Sequence, residues 1–84
     1  MSKIEKRLKK LKDGNLLVWD QILPILKSYN LMVTEPASGG SHYKVFYEGC
    51  QRPLTVPVHS NRIKGCYAKD IATMIIECNP DEDE

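Results

Sequence analysis

The apolar residues of this chain change their period twice, and that switch restricts the fold more than any composition figure does. Over residues 3–12, Ile4, Leu8 and Leu11 recur at helical spacing among lysines, the pattern of an amphipathic helix. Asp13-Gly14-Asn15 closes it, glycine being a good cap and asparagine a turn former. A second helical stripe of Ile22, Ile25, Leu26 and Tyr29 predicts a helix over residues 20–29, with Asp20 as its N-cap. Pro24 holds the start close to Asp20, because proline is tolerated only near the first turn.

From residue 31 the period drops to two. Residues 31–35 read as a first strand, ended by Pro36. Residues 42–48 alternate His42, Lys44, Phe46 and Glu48 against Tyr43, Val45 and Tyr47, a second strand. Gly49-Cys50-Gln51-Arg52 is a hairpin connection, and residues 53–58 form a third strand whose prolines at 53 and 57 mark its ends or a sheet edge. After a polar stretch and Gly65, the helical period returns in Tyr67, Ile71, Met74, Ile75 and Cys78, and Asn79-Pro80 stops it. The order is helix, helix, three antiparallel strands, helix. It predicts an α+β two-layer domain with the helices on one sheet face and the other face open.

Eighty-four residues make a single domain over residues 1–84. Residues 1–14 are its basic N-terminal helix and turn, residues 15–78 the core, and residues 79–84 an acidic tail. A hydrophobic share of 42% with 27% charged residues is that of a soluble globular protein. No apolar run approaches the roughly 20 residues of a membrane span, and the lysine-rich start has no apolar segment of a secretory signal. No membrane partner is expected. Three widely spaced cysteines, Cys50, Cys66 and Cys78, give neither a disulfide framework nor a zinc-like cluster. Packing in a reducing cytoplasm is the natural reading. Charge is unevenly spread. Lys3, Lys6, Arg7, Lys9, Lys10 and Lys12 face Glu5 alone at one end, while Glu77, Asp81, Glu82, Asp83 and Glu84 gather at the other. The basic end reads either as a patch for phosphates or as a solvated helix face.

The residues with most chemistry stand where the loop meets the second strand, in Gly39-Gly40-Ser41-His42-Tyr43-Lys44. Strand alternation puts His42 and Lys44 on one face, so an imidazole and an ammonium flank a glycine-rich turn. That grouping suits a phosphodiester. Backbone N–H groups at Gly40 and the Ser41 hydroxyl add phosphate contacts, and Arg62 and Lys64 add charge. His59, after Pro57, reads first as a hydrogen-bonded turn residue and second as a catalyst. Trp19 reads as core, and Tyr43 and Tyr47 as core or base-stacking residues.

Gly40-Ser41-His42 opening a strand, then Thr55-Val56-Pro57-Val58-His59, then Lys64-Gly65 before a helix, resembles the HicA family of toxin–antitoxin mRNA interferases and the related YcfA-like proteins. Glu5-Lys6-Arg7-Leu8-Lys9-Lys10-Leu11, a turn, and Val18-Trp19-Asp20 are similar to the branch with an extra N-terminal helix. The resemblance covers residues 3–78. It implies a double-stranded-RNA-binding-domain-like fold of α-β-β-β-α order and metal-independent cleavage of mRNA with His42 as the catalytic residue. It further implies no cofactor, a cytoplasmic setting in a bacterium or archaeon, and a HicB-type antitoxin. The toxin is then a monomer alone and part of a hetero-oligomer with that partner. Relatives often carry a second histidine where this chain has Tyr43, and a glycine-rich or proline-containing turn where it has residues 60–66.

Cleavage without a metal needs a base for the 2′-OH, an acid for the leaving 5′ oxygen and positive charge on the pentacoordinate phosphorus. Histidine serves the first two roles and Lys44, Arg62 and Lys64 the third. Two other readings use the same residues: a non-catalytic RNA-binding module, and a protein-interaction subunit that docks through the open sheet face.

Overall fold

The computed structural model describes residues 3–36 and 39–79. The predicted acidic tail beyond Asn79 and loop residues Ala37 and Ser38 lie outside the described residues. The rest is an α+β arrangement of four helices and a three-stranded antiparallel sheet. In chain order these are α1 (Lys3–Arg7), α2 (Lys9–Lys12), α3 (Trp19–Ser28), β1 (Met32–Thr34), β2 (His42–Phe46), β3 (Leu54–Pro57) and α4 (Gly65–Cys78).

The N-terminal helix expected over residues 3–12 is two short pieces, broken at Leu8 with φ −98° and ψ 11°. Ile4, Leu8 and Leu11 are each only 1% exposed, so the basic segment is docked on the core with its lysines outward. The end of α2 shows what Gly14 does. Gly14 sits at φ +76°, its N–H donates to the Leu11 carbonyl (3.0 Å) and the Asn15 N–H to that of Lys10 (2.8 Å), the paired closure of a Schellman cap. Asn30 ends α3 the same way, at φ +64°, with Asn30 N–H donating to Lys27 and Leu31 N–H to Leu26.

The N-cap of α3 departs from expectation. It is Val18, in extended conformation, and Asp20 lies inside the first turn. The cap comes from elsewhere in the chain: Trp19 N–H donates to the Asn61 carbonyl (2.8 Å) and Asp20 N–H to Asn61 Oδ1 (3.1 Å). These take up amides that a helix start otherwise leaves unpaired. Pro24 follows one turn in, at the cost of one backbone hydrogen bond.

The sheet is a meander with β2 central. Each strand is shorter than its apolar pattern, which runs on into turns. Val33 pairs with Val45, and Val45 with Leu54, on the face toward the helices. Val45 and Val56 are fully buried there. The helix α4 turns Ala68, Ile71, Ala72 and Ile75 into the core, with Tyr67, Met74 and Cys78 at its margins. The buried stripe is therefore centred nearer the alanines than the large residues of the sequence suggest. Among the described residues no helix is long and apolar enough to cross a membrane.

Gly65 opens α4 against the end of α2. A Cβ there would stand 2.9 Å from the Gly14 carbonyl oxygen, closer than real carbons come. Alanine in a helix normally stabilises relative to glycine, so the sign of the effect is diagnostic. Gly65→Ala is expected to cost about 1–3 kcal/mol through overpacking, lowering the melting temperature by roughly 5–15 °C. A thermal melt followed by circular dichroism checks this, and an unchanged or raised midpoint contradicts the close approach.

Candidate nucleic-acid interface

The face of the sheet turned away from the helices carries the residues of interest. His42 pairs with Pro57, Lys44 with Thr34 and Thr55, and Phe46 with Met32. His42, Lys44, Thr34, Thr55 and Met32 are exposed. The face thus has a basic end at His42 and Lys44 and an apolar end at Phe46 and Met32, the latter 42% exposed. Pro57 is accommodated because β3 is an edge strand. The next pair along the ladder is hydrogen-bonded, Val58 N–H to the Ser41 carbonyl at 2.7 Å, so Pro57 stands at a position that needs no amide toward β2.

Ser41 Oγ lies 3.4 Å from His42 Nδ1. That contact orients the ring and leaves Nε2 without a partner among the described residues. Lys44, Arg62 and Lys64 make no ion pair among the described residues, where the pair seen is Lys12 with Glu5 at 3.6 Å.

Tyr43 faces the other way from His42, opposite buried Val56. Its ring meets that of Trp19 at a centroid distance of 5.3 Å and 51°, and Trp19 is only 4% exposed. Trp19 is spent on packing, and Tyr43 is half-buried beside it. Tyr47 lies at the far end of the sheet from His42. Partial burial, then the Cys50 thiol, hold its phenol above the ordinary range, and partial burial also pushes the Cys78 thiol up. Both stay neutral and serve packing. Cys50 is half-buried as well, whereas Cys66 is exposed.

The other predicted residues collect around the turn after β3. His59 and Arg62 exchange backbone hydrogen bonds, His59 N–H to Arg62 O at 2.9 Å and Arg62 N–H to His59 O at 3.0 Å. The two residues between them, Ser60 and Asn61, sit at φ +52° and +62°, the left-handed pair that a tight type I′ connection demands. Asn61 locks this turn to α3 through the cap bonds and through Nδ2 donating to Asp20 Oδ2 (3.2 Å). Ile63 N–H donates to the Leu17 carbonyl (2.9 Å) and fixes the other side.

A cleft of about 560 Å³ opens between this turn and the 39–41 loop, bordered by Gly40, Ser41, Tyr43 and His59 among others. On the other side of His59 a smaller groove of about 290 Å³ runs past Arg62 and Lys64 to Tyr67. His59 is the residue between the two. Sequence reasoning ranked it behind His42 because nothing local announced that the turn returns it to the loop. Among the described residues no group of three or more His, Cys, Asp or Glu side chains gathers at metal-ligand distances. No protein-family model, no curated protein and no solved structure matches this chain.

Proposed function

We propose that this chain is an mRNA interferase of the HicA type, an endoribonuclease that needs no metal and that a HicB-type antitoxin silences by covering the open sheet face. The sheet with α3 and α4 is then a double-stranded-RNA-binding-domain-like core to which α1 and α2 are added. One observation carries the reading. An exposed histidine whose Nε2 has no partner among the described residues shares an open sheet face with Lys44, and Arg62 and Lys64, without an ion pair among the described residues, follow the end of β3. These groups are exposed and open to a polyanion. A phosphodiester backbone is the ligand that uses all of them.

In this reading Nδ1 of His42 carries its proton and donates to Ser41 Oγ, which leaves Nε2 as the base. It takes the 2′-OH proton of the RNA. The 2′ oxygen attacks phosphorus, the bond to the 5′ oxygen breaks, and the products are a 2′,3′-cyclic phosphate and a 5′-hydroxyl. Lys44 stabilises the charge on the phosphorane-like transition state. The missing second histidine of relatives is no obstacle, because Tyr43 is directed away from the open face and toward Trp19.

The test is expression of the wild type and of His42→Ala without a partner, following growth and RNA integrity. The wild type is expected to arrest growth with fragmented messages and the variant to do neither. A variant as toxic as its parent removes His42 from the chemistry. RNA that is bound but never cut by the wild type favours a binding module on the same face.

A further inference from the structure

We propose that His59 is the second proton-handling group of this site, delivering a proton to the leaving 5′ oxygen while His42 takes one from the 2′-OH. The proposal rests on the RNA-cleavage reading above.

It follows from the register. His42 is opposite Pro57, and the bond from Val58 N–H to Ser41 O carries the ladder one pair further. Continued one step beyond the ladder, this register sets His59 opposite Gly40. Strand alternation returns Gly40 and His59 to the same open face as His42, making the two histidines diagonal cross-strand neighbours with backbones about 7–8 Å apart. Both are exposed.

The residue opposite His59 has no side chain. A Cβ at Gly40 would meet only Pro36 Cβ, at 3.7 Å, so the space over Gly40 is open. Gly40, Ser41 and His59 border this gap, and His42 follows next along the strand. Lys44 follows next along β2 and Arg62 is bonded to His59 through the turn. One imidazole thus borders the gap and a second follows along the strand, with Lys44 and Arg62 in the same neighbourhood of sequence and ladder, the residue types that in-line transfer at a phosphodiester requires.

The turn itself does not use the imidazole. His59 holds Arg62 through backbone groups alone, and its ring has no hydrogen-bond partner among the described residues. Ser60, beside Asn61 in the same left-handed conformation, is a residue that holds such a backbone only where the surroundings enforce it. The enforcing bonds run from Asn61 to α3, and their effect is to fix where His59 stands.

The step balances. His42 Nε2 accepts the 2′ proton, the 2′ O–P bond forms, the P–O5′ bond breaks, and the protonated imidazole of His59 gives its proton to O5′. The two histidines end with exchanged protonation states, which bulk water restores.

The experiment separates acid catalysis from positioning. After the wild type has mapped a cleavage site, two oligoribonucleotides are compared: one natural, and one with the 5′ oxygen at that site replaced by bridging sulfur, a thiolate that leaves without a proton. His59→Ala is expected to slow the natural oligonucleotide by 10²–10³-fold. It should cleave the sulfur-bridged one within about threefold of wild type, the release from proton demand that an acid role predicts. Gly40→Leu, which fills the gap, is expected to lose cleavage of both. His59→Gln replaces His59→Ala if the latter melts early. Equal loss on both oligonucleotides by a folded His59 variant overturns the acid role, and no loss on either overturns any catalytic role. Wild-type protein that leaves RNA intact overturns the cleavage reading together with this proposal. Wild-type cleavage with unaffected His59→Ala overturns this proposal alone.

Discussion

His42→Ala is expected to lower RNA cleavage by purified protein by about 10³-fold or more, because it removes the base and His59 stands as the acid. Nearby Ser41 has no basic atom to offer, and Lys44 serves the charge on phosphorus. The fold should be indifferent to the change. His42 is exposed and its side chain makes one long contact, 3.4 Å to the Ser41 hydroxyl, and substitutions of that kind shift stability by no more than about 0.5 kcal/mol. RNA affinity should also survive, since Lys44, Arg62 and Lys64 remain. The measurements are cleavage rate, melting temperature and RNA binding on one preparation. A variant that loses binding and cleavage together points to a docking role for the ring.

The second large effect concerns the N-terminal helices. Leu8→Ala is expected to destabilise the protein by about 2–5 kcal/mol, the cost of an unfilled cavity at a fully buried leucine. Small domains hold only a modest margin, at the low end of about 5–15 kcal/mol. Leu8→Asp, which buries a charge, should leave no cooperative transition at all. Leu8 is 1% exposed and sits at the break between α1 and α2, flanked by buried Ile4 and Leu11, so the basic segment is part of the core it covers. Chemical denaturation of both variants checks this. If Leu8→Asp melts as the wild type does, the helices are a detachable arm. Cleavage by the Leu8 variants should fall in step with the folded fraction, unlike the loss in His42→Ala.

Much of the architecture was legible because local residues carry it. The change of period separated helices from strands, and Gly14 and Asn30 announced helix ends because both residue types accept the left-handed conformation they adopt. Parity alone put His42 and Lys44 on one face, and the register agrees. What was not legible depends on distant partners. Asp20 looked like an N-cap, but the capping groups belong to Asn61, 41 residues away. Of the stripe expected on α4, Ile71 and Ile75 are buried, but close packing takes Ala68 and Ala72 inside and leaves Tyr67, Met74 and Cys78 at the margin. Gly65 looked like punctuation, and its reason is the Gly14 carbonyl across the contact. The partnership of His59 with the 39–41 loop was hidden for the same cause. It requires the length of the β2–β3 ladder and a tight turn built from Ser60 and Asn61, neither of them glycine.

The central claim is that the open sheet face carries metal-independent RNA cleavage through the 2′-OH. It is tested most directly by the ends of the fragments that purified wild-type protein makes in excess EDTA. The account predicts fragments with 2′,3′-cyclic phosphate and 5′-hydroxyl ends, at a rate unchanged by the chelator. Fragments with 5′-phosphate ends, or activity that vanishes on chelation and returns with a divalent cation, would contradict it.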